Sequence, residues 1–93
     1  MTPIIDVCIK TAESTLFMGK AQSITCLNEA GPFDVLPFHE NFISLINKQI
    51  VITQPGGELL TFPIQSRGIL RVGSNVVTVF LGVEVVETQG RMG

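Results

Sequence analysis

Ninety-three residues, 45% of them hydrophobic and 15% charged, leave room for one domain with one modest core. Ten valines, ten isoleucines and eight threonines against three alanines favour pleated, half-buried surface and exclude a helical bundle. A formal net charge of −2, with the basic residues scattered singly, excludes nucleic acid as a partner, because binding a phosphate backbone needs clustered cations.

The apolar runs are short and interrupted, so no helix is expected to cross or insert into a bilayer. The start, Met1-Thr2-Pro3-Ile4-Ile5-Asp6, has no basic region, long apolar stretch or small-residue cleavage site, so a cytosolic location is expected. Both cysteines are then expected as reduced thiols. Cys8 and Cys26 lie in strand-like runs without a CxxC pattern and read as packing residues.

In chain order, Ile5 to Lys10 alternates, with Ile5, Val7 and Ile9 on one face, and predicts a strand. Thr11 to Thr15 reads as a turn, Leu16-Phe17-Met18 as a short extended piece, and Gly19 as a break before a strand from Lys20 to Leu27. Asn28 to Pro32 concentrates turn formers and predicts an exposed loop. Phe33 to Leu36 is a short apolar piece limited by Pro37. Phe38 to Ile46 has a mixed pattern, and Lys48 to Gln54 alternates again. Pro55-Gly56-Gly57-Glu58 predicts a hairpin joining that strand to Leu59–Ile64, where Pro63 marks an edge or a bulge. Gly68 to Val72, the turn Gly73-Ser74-Asn75, Val76 to Leu81, and Val83 to Thr88 after a bend at Gly82 complete the pattern.

The prediction is an all-β fold, a flattened antiparallel β-sandwich or barrel of about nine or ten short strands. Residues 1–88 form the domain and 89–93 a frayed tail. Phe17, Phe33, Phe62 and Phe80 are expected in the core; of Phe38 and Phe42, one is expected to be exposed and capped by a partner.

Material for catalysis is thin. A trio of Ser44, His39 and Asp34, or a zinc set of His39, Cys8 and Cys26, has no supporting spacing. Gly56-Gly57 has no Lys-Ser/Thr after it and reads as a turn. No cofactor, no metal and no small-molecule substrate is expected, and binding is favoured over chemistry.

One segment, Gly31-Pro32-Phe33-Asp34-Val35-Leu36-Pro37-Phe38-His39, resembles the glycine-x-apolar-x-apolar-x-proline-x-histidine stretch in the N-terminal β-sandwich of F-type ATP synthase epsilon subunits. The flanks agree: Ile5-Asp6-Val7, Ala12-Glu13, Leu16-Phe17-x-Gly19, Gly68-Ile69-Leu70-x-Val72 and Asn75 to Val79 follow in the family's order. The similarity runs from about Ile4 to Glu87, with Gly19, Gly31, Pro37 and Gly68 as structural positions. Asp34 and Phe38 stand where glycine is common, and Pro32 replaces an acidic or polar residue at the loop tip. The chain ends where the family's C-terminal helical hairpin would begin, so inhibition by an extending helix is not expected.

The resemblance implies a noncatalytic rotor subunit, part of a peripheral F1 complex on the cytoplasmic face of an energy-transducing membrane. It would couple c-ring rotation to the gamma subunit and the catalytic head. By position, Glu29, Ala30, Gly31 and Pro32 would face the c-ring, while Thr11, His39, Phe42 and Ser44 would face gamma. A lone histidine after Pro37 also suits a structural role in its own loop. The alternative is a free-standing β-sandwich adaptor that closes its edges by self-association.

Overall fold

The computed structural model describes residues 3–82. The described residues form seven strands: β1 (Ile5–Lys10), β2 (Thr15–Ala21), β3 (Ser23–Asn28), β4 (Gly31–Val35), β5 (Phe42–Thr53), β6 (Leu59–Gly73) and β7 (Val76–Leu81). They join in the order β2-β1-β7-β6-β5-β3-β4. Every neighbouring pair is antiparallel except β1 and β7, which run parallel with Asp6 opposite Val76 and Lys10 opposite Phe80. No helix among the described residues is long and apolar enough to cross a membrane.

The all-β character expected from the β-branched residues is present, with seven strands among the described residues and one parallel pair where antiparallel pairing throughout was expected. Two of the strands are long. β5 joins the runs read separately as Phe38–Ile46 and Lys48–Gln54, and β6 joins Leu59–Ile64 to Gly68–Val72. The apparent breaks are a bulge: Asn47 pairs with Arg67 and Gln49 with Pro63, so Lys48, at φ +69°, stands opposite Ile64 to Ser66. Two extra residues on β6 bend the pair without ending it, and Pro63, which has no N–H to give, sits beside that irregularity as its residue type predicts. The run Lys20–Leu27, by contrast, is split by a bend at Gln22; Lys20 and Ala21 finish β2. Phe38 lies in a turn, and β5 begins at Phe42. The expected strand Val83–Thr88 and the tail 89–93 lie outside the described residues.

The bend folds the sheet into two layers. The halves of β5 and β6 before and after the bulge pair with different neighbours: Gly68–Gly73 with β7, and Val51–Thr53 with β3. Two aromatic contacts close the layers on each other. Phe17 of β2 meets Phe62 of β6 at 5.6 Å between ring centroids, and Phe33 of β4 meets Phe42 of β5 at 6.1 Å in an edge-on geometry, the arrangements that aromatic quadrupoles favour. Between them lies one aliphatic cluster, including Ile9, Ile24, Ile46, Ile50, Ile52, Leu70 and Val79, all fully buried. Among the described residues it contains no buried polar side chain.

Phe17, Phe33 and Phe62 pack against this cluster as expected, together with Phe42. Phe80 does not belong to it. It is half-buried, with the Lys10 ammonium 5.3 Å from its ring centroid, because Val77, Val79 and Leu81 take the inward positions of β7 and alternation turns Phe80 outward. The spacing Phe17-x-Gly19 has a packing reason as well. The Phe17 ring lies back along its own strand over Gly19, so close that a Cβ on Gly19 would come within 2.8 Å of Cζ.

Both cysteines are free thiols. Cys26 is fully buried and Cys8 half-buried. Burial, reinforced by the negative charge of Asp34, pushes the Cys26 thiol up to about 12 from 9.0. The thiolate is therefore disfavoured in the folded state, and stability is expected to fall as pH rises from about 9 towards 12, where the unfolded chain has lost the proton and the folded chain has not. At pH 8 a thiol-specific chromogenic reagent is expected to titrate Cys8 alone, and Cys26 only after urea is added. Rapid labelling of both in the native protein would contradict the burial.

Candidate functional site

Two sets of residues singled out in the sequence sit on turns whose geometry follows from a few side chains. The first is the β3–β4 turn. Asn28 pairs with Gly31 across its base, and the Asn28 side-chain oxygen accepts a 2.9 Å bond from the Ala30 N–H, an Asx turn that fixes the tip without help from the core. Gly31 has φ +117°, which a side chain would strain even though no atom lies within 4 Å of where its Cβ would stand. Glu29, Ala30 and Pro32 are exposed. Pro32, on the outer strand β4, pairs with Leu27.

The second is the segment from Leu36 to Asn41, which crosses from β4 to β5. The His39 N–H bonds to the Leu36 carbonyl at 3.2 Å, with Pro37 and Phe38 as the central pair. Phe38 holds φ +65° while 78% exposed. Its N–H donates to Asn75 Oδ1 at 2.9 Å, and Asn75 Nδ2 donates to the Ile4 carbonyl at 2.7 Å. The Asn75 carbonyl in turn accepts from the Asp6 N–H at 3.2 Å. One asparagine thus ties the start of the chain, the proline turn and the β6–β7 hairpin together. Ser74 and Asn75 both have positive φ, the geometry of a two-residue hairpin turn. Asn41 Oδ1 accepts from the Ser74 N–H at 3.3 Å.

The strained Phe38 yields a stability expectation. With so little of its side chain covered, Phe38→Gly removes little burial and relieves a conformation costing a non-glycine residue about 1 kcal/mol or more. Net stabilisation of about 0.5 to 1 kcal/mol in urea denaturation is expected after the extra freedom of glycine in the unfolded chain is counted. Destabilisation of that size would mean that Phe38 packs in solution.

His39 is exposed. Its ring lies 4.9 Å from that of Phe42, and Nδ1 approaches the Glu40 carbonyl at 3.1 Å. Of the pair considered in the sequence, Phe38 is the exposed aromatic and Phe42 the packed one. Ser44 lies further along β5, where its hydroxyl donates to the Leu45 carbonyl at 3.0 Å and accepts a long bond of 3.4 Å from Asn28 Nδ2. Thr11 stands apart from these. It follows the end of β1 that pairs with Phe80, away from the Asp6 end tied to Asn75. Its hydroxyl is engaged by the N–H groups of Glu13 and Ser14.

The structure therefore brings His39 to Phe42 and Ser44 to the Asn28 turn, and leaves Thr11 at the other end of its layer. Ser44, His39 and Asp34 do not bond to one another; Asp34 instead accepts from the Thr25 hydroxyl at 2.7 Å. Among the described residues there is no group of three or more metal-binding side chains. Asn75 and Asn41 were not recognised from sequence as organisers of the proline turn. The available signal was the Ser74-Asn75 pair between two apolar runs, which predicts the hairpin but not what the amide reaches.

Residues 4–89 match the family model for the ATP synthase delta/epsilon chain β-sandwich domain. This chain belongs to that family. Among curated proteins, the ATP synthase epsilon chain of Stenotrophomonas maltophilia strain K279a is 39% identical over 72 residues, covering 76% of this chain and 51% of its own length. The epsilon chain of Xanthomonas campestris pv. campestris strain B100 is 35% identical over 78 residues, covering 83% and 55%. This epsilon-type chain thus spans about half the length of the curated relatives it matches. Among solved structures, a chain of the Euglena gracilis mitochondrial ATP synthase, in an assembly described as OSCP, F1 and c-ring, superposes with a TM-score of 0.76 at 20% identity. That superposition covers 83% of this chain and 49% of the other, and it shows a shared fold.

Proposed function

We propose that this epsilon-type sandwich is a noncatalytic piece of the central rotor of an F-type ATP synthase, seated between the c-ring and the gamma subunit on the cytoplasmic face of the membrane. In this reading it transmits torque and performs no bond chemistry of its own. The observation that carries the reading is family membership over nearly the whole chain. The exposed turn at Glu29 and Ala30, held by Asn28, is a rigid projection suited to short polar loops. The His39–Phe42 stack offers a mixed aromatic and polar surface of the kind that protein interfaces use. For Thr11, the assignment to the gamma-facing surface requires a partner that reaches both ends of the layer.

The test is coexpression with the gamma subunit and c-ring of the same genome, followed by size exclusion and native mass spectrometry. A complex with gamma is expected, weakened at least about tenfold by the double change His39→Ala and Phe42→Ala. Ala30→Arg and Pro32→Asp are expected to leave the gamma complex intact and to lower retention on the c-ring and proton-coupled ATP synthesis. Failure of the folded protein to bind gamma would overturn the reading; unaltered coupling in both loop variants would remove the c-ring assignment.

A further inference from the structure

The turn Leu36-Pro37-Phe38-His39 carries a strain that the fold does not require. The His39 N–H closes it on the Leu36 carbonyl. Pro37 takes the second position and Phe38 the third, at φ +65°. This is the pattern of a type II turn, whose third position calls for glycine because most side chains are strained there. Phenylalanine has no short polar group of the kind that lets asparagine settle in this conformation, and is a poor occupant.

Nothing in the described fold needs the ring. Phe38 is 78% exposed, is not among the side chains packed on the aliphatic cluster, and stacks on no other aromatic ring among the described residues. The turn is held through the backbone instead. Asn75 Oδ1 accepts from the Phe38 N–H at 2.9 Å, while Asn75 Nδ2 donates to the Ile4 carbonyl at 2.7 Å. Both bonds are available to any side chain at position 38. The asparagine clasp therefore fixes the direction in which the phenyl ring projects without being built by it. Leu36, at the first position of the same turn and 53% exposed, widens the apolar surface.

Strained residues that their surroundings over-determine cluster where a protein acts, and exposed aromatics are among the residues on which interfaces concentrate binding energy. The position names the interface. His39 follows Phe38 directly and its ring lies 4.9 Å from that of Phe42, so the turn continues the surface proposed above for gamma. His39 also states what the partner must bring. Nδ1 lies 3.1 Å from the Glu40 carbonyl, which can only accept, so Nδ1 carries the ring proton and Nε2 of the neutral ring is left to accept from outside. We infer that Phe38 is the anchor that fits this chain to its own gamma subunit, entering an apolar recess whose rim donates a hydrogen bond to His39 Nε2. This rests on the rotor reading and names the residue that makes the seating selective: a gamma shaped to glycine at this turn has no recess for the ring.

The test measures the affinity of the whole chain for the complete gamma subunit of the same genome by calorimetry, beside urea denaturation of the chain alone. Phe38→Gly and Phe38→Asn both suit the left-handed turn. Each is expected to weaken binding by about thirtyfold while leaving the urea midpoint unchanged or higher, and Phe38→Leu to keep part of the affinity. Against the gamma subunit of a synthase whose epsilon chain has glycine at this turn, the order is expected to reverse, with Phe38→Gly binding more tightly than the parent. A parent that does not bind its own gamma would remove the rotor reading and this inference with it. A parent that binds while Phe38→Asn binds equally well, or that binds both gamma subunits alike, would leave the rotor reading standing and overturn the anchor. Lower stability of both variants would overturn it by showing that the ring packs on its own chain. So would a dimer of the chain alone that Phe38→Asn disperses, since a second copy would then be the occupant.

Discussion

Gly68→Val is expected to destabilise the sandwich by about 3 kcal/mol, enough to lower its melting temperature by roughly 15 °C. Gly68 is buried in β6 between Ile46 of β5 and Leu81 of β7, with which it pairs. A Cβ there would stand 2.8 Å from Leu81 Cδ2, 3.2 Å from the Phe80 carbonyl oxygen and 3.5 Å from Ile46 Cγ1. The leucine methyl can rotate away. The carbonyl cannot, because it belongs to the β6–β7 ladder, so the two strands must separate locally. Gly68→Ala meets the same carbonyl with one carbon and is expected to cost about half as much. Paired urea titrations of both variants check the order, and a valine variant as stable as the parent would show that the ladder opens there freely.

The opposite change at the other end of the core has an effect of similar size. Ile50 is completely buried and lies opposite Phe62 in the bent pair of β5 and β6. Ile50→Ala removes three carbons from a site walled by backbone, where collapse is limited. The lost transfer energy and the residual cavity together are expected to cost about 4 kcal/mol, against about 1 kcal/mol for Ile50→Val. Against total stabilities of about 5 to 15 kcal/mol for small domains, this brings the protein close to unfolding at room temperature. Denaturant midpoints of the two variants measure it. An alanine variant within about 1 kcal/mol of the parent would place the centre of the core elsewhere.

How far these effects are legible in the sequence depends on the range of the interaction. Ile5, Val7 and Ile9 declare a strand with one buried face because alternation is local, and they are buried as expected. The hairpin at Pro55-Gly56 is local for the same reason, closed by the Gln54 N–H on the Glu58 carbonyl and the Gly57 N–H on the Gln54 carbonyl. The continuity of β5 was hidden because Lys48, at positive φ, shifts the register and interrupts the alternation that would have marked a single strand. Phe80 was misplaced because its size suggested burial while its parity in β7 decided the matter.

For the site, Asn28-Glu29-Ala30-Gly31 announced an exposed turn by composition alone, and the turn is there. The bonds from Asn75 to Ile4 and Phe38 were not legible, since they join segments distant in the chain and an amide side chain carries no mark of its partner.

The parallel pairing of β1 with β7 bears on how the chain acquires its structure as it is made. The β5–β6–β7 meander and the β1–β2 and β3–β4 hairpins can each form soon after their residues leave the ribosome, because their partners are close in sequence. β1 meets its inner neighbour only when Val76 to Phe80 have been synthesised. Until then the first hairpin has no layer to join, and its unpaired edge waits in the company of other nascent chains. The closing event of folding is therefore the capture of the earliest strand by the last described one, and slowing translation before Val76 would lengthen the time for which that edge stands open.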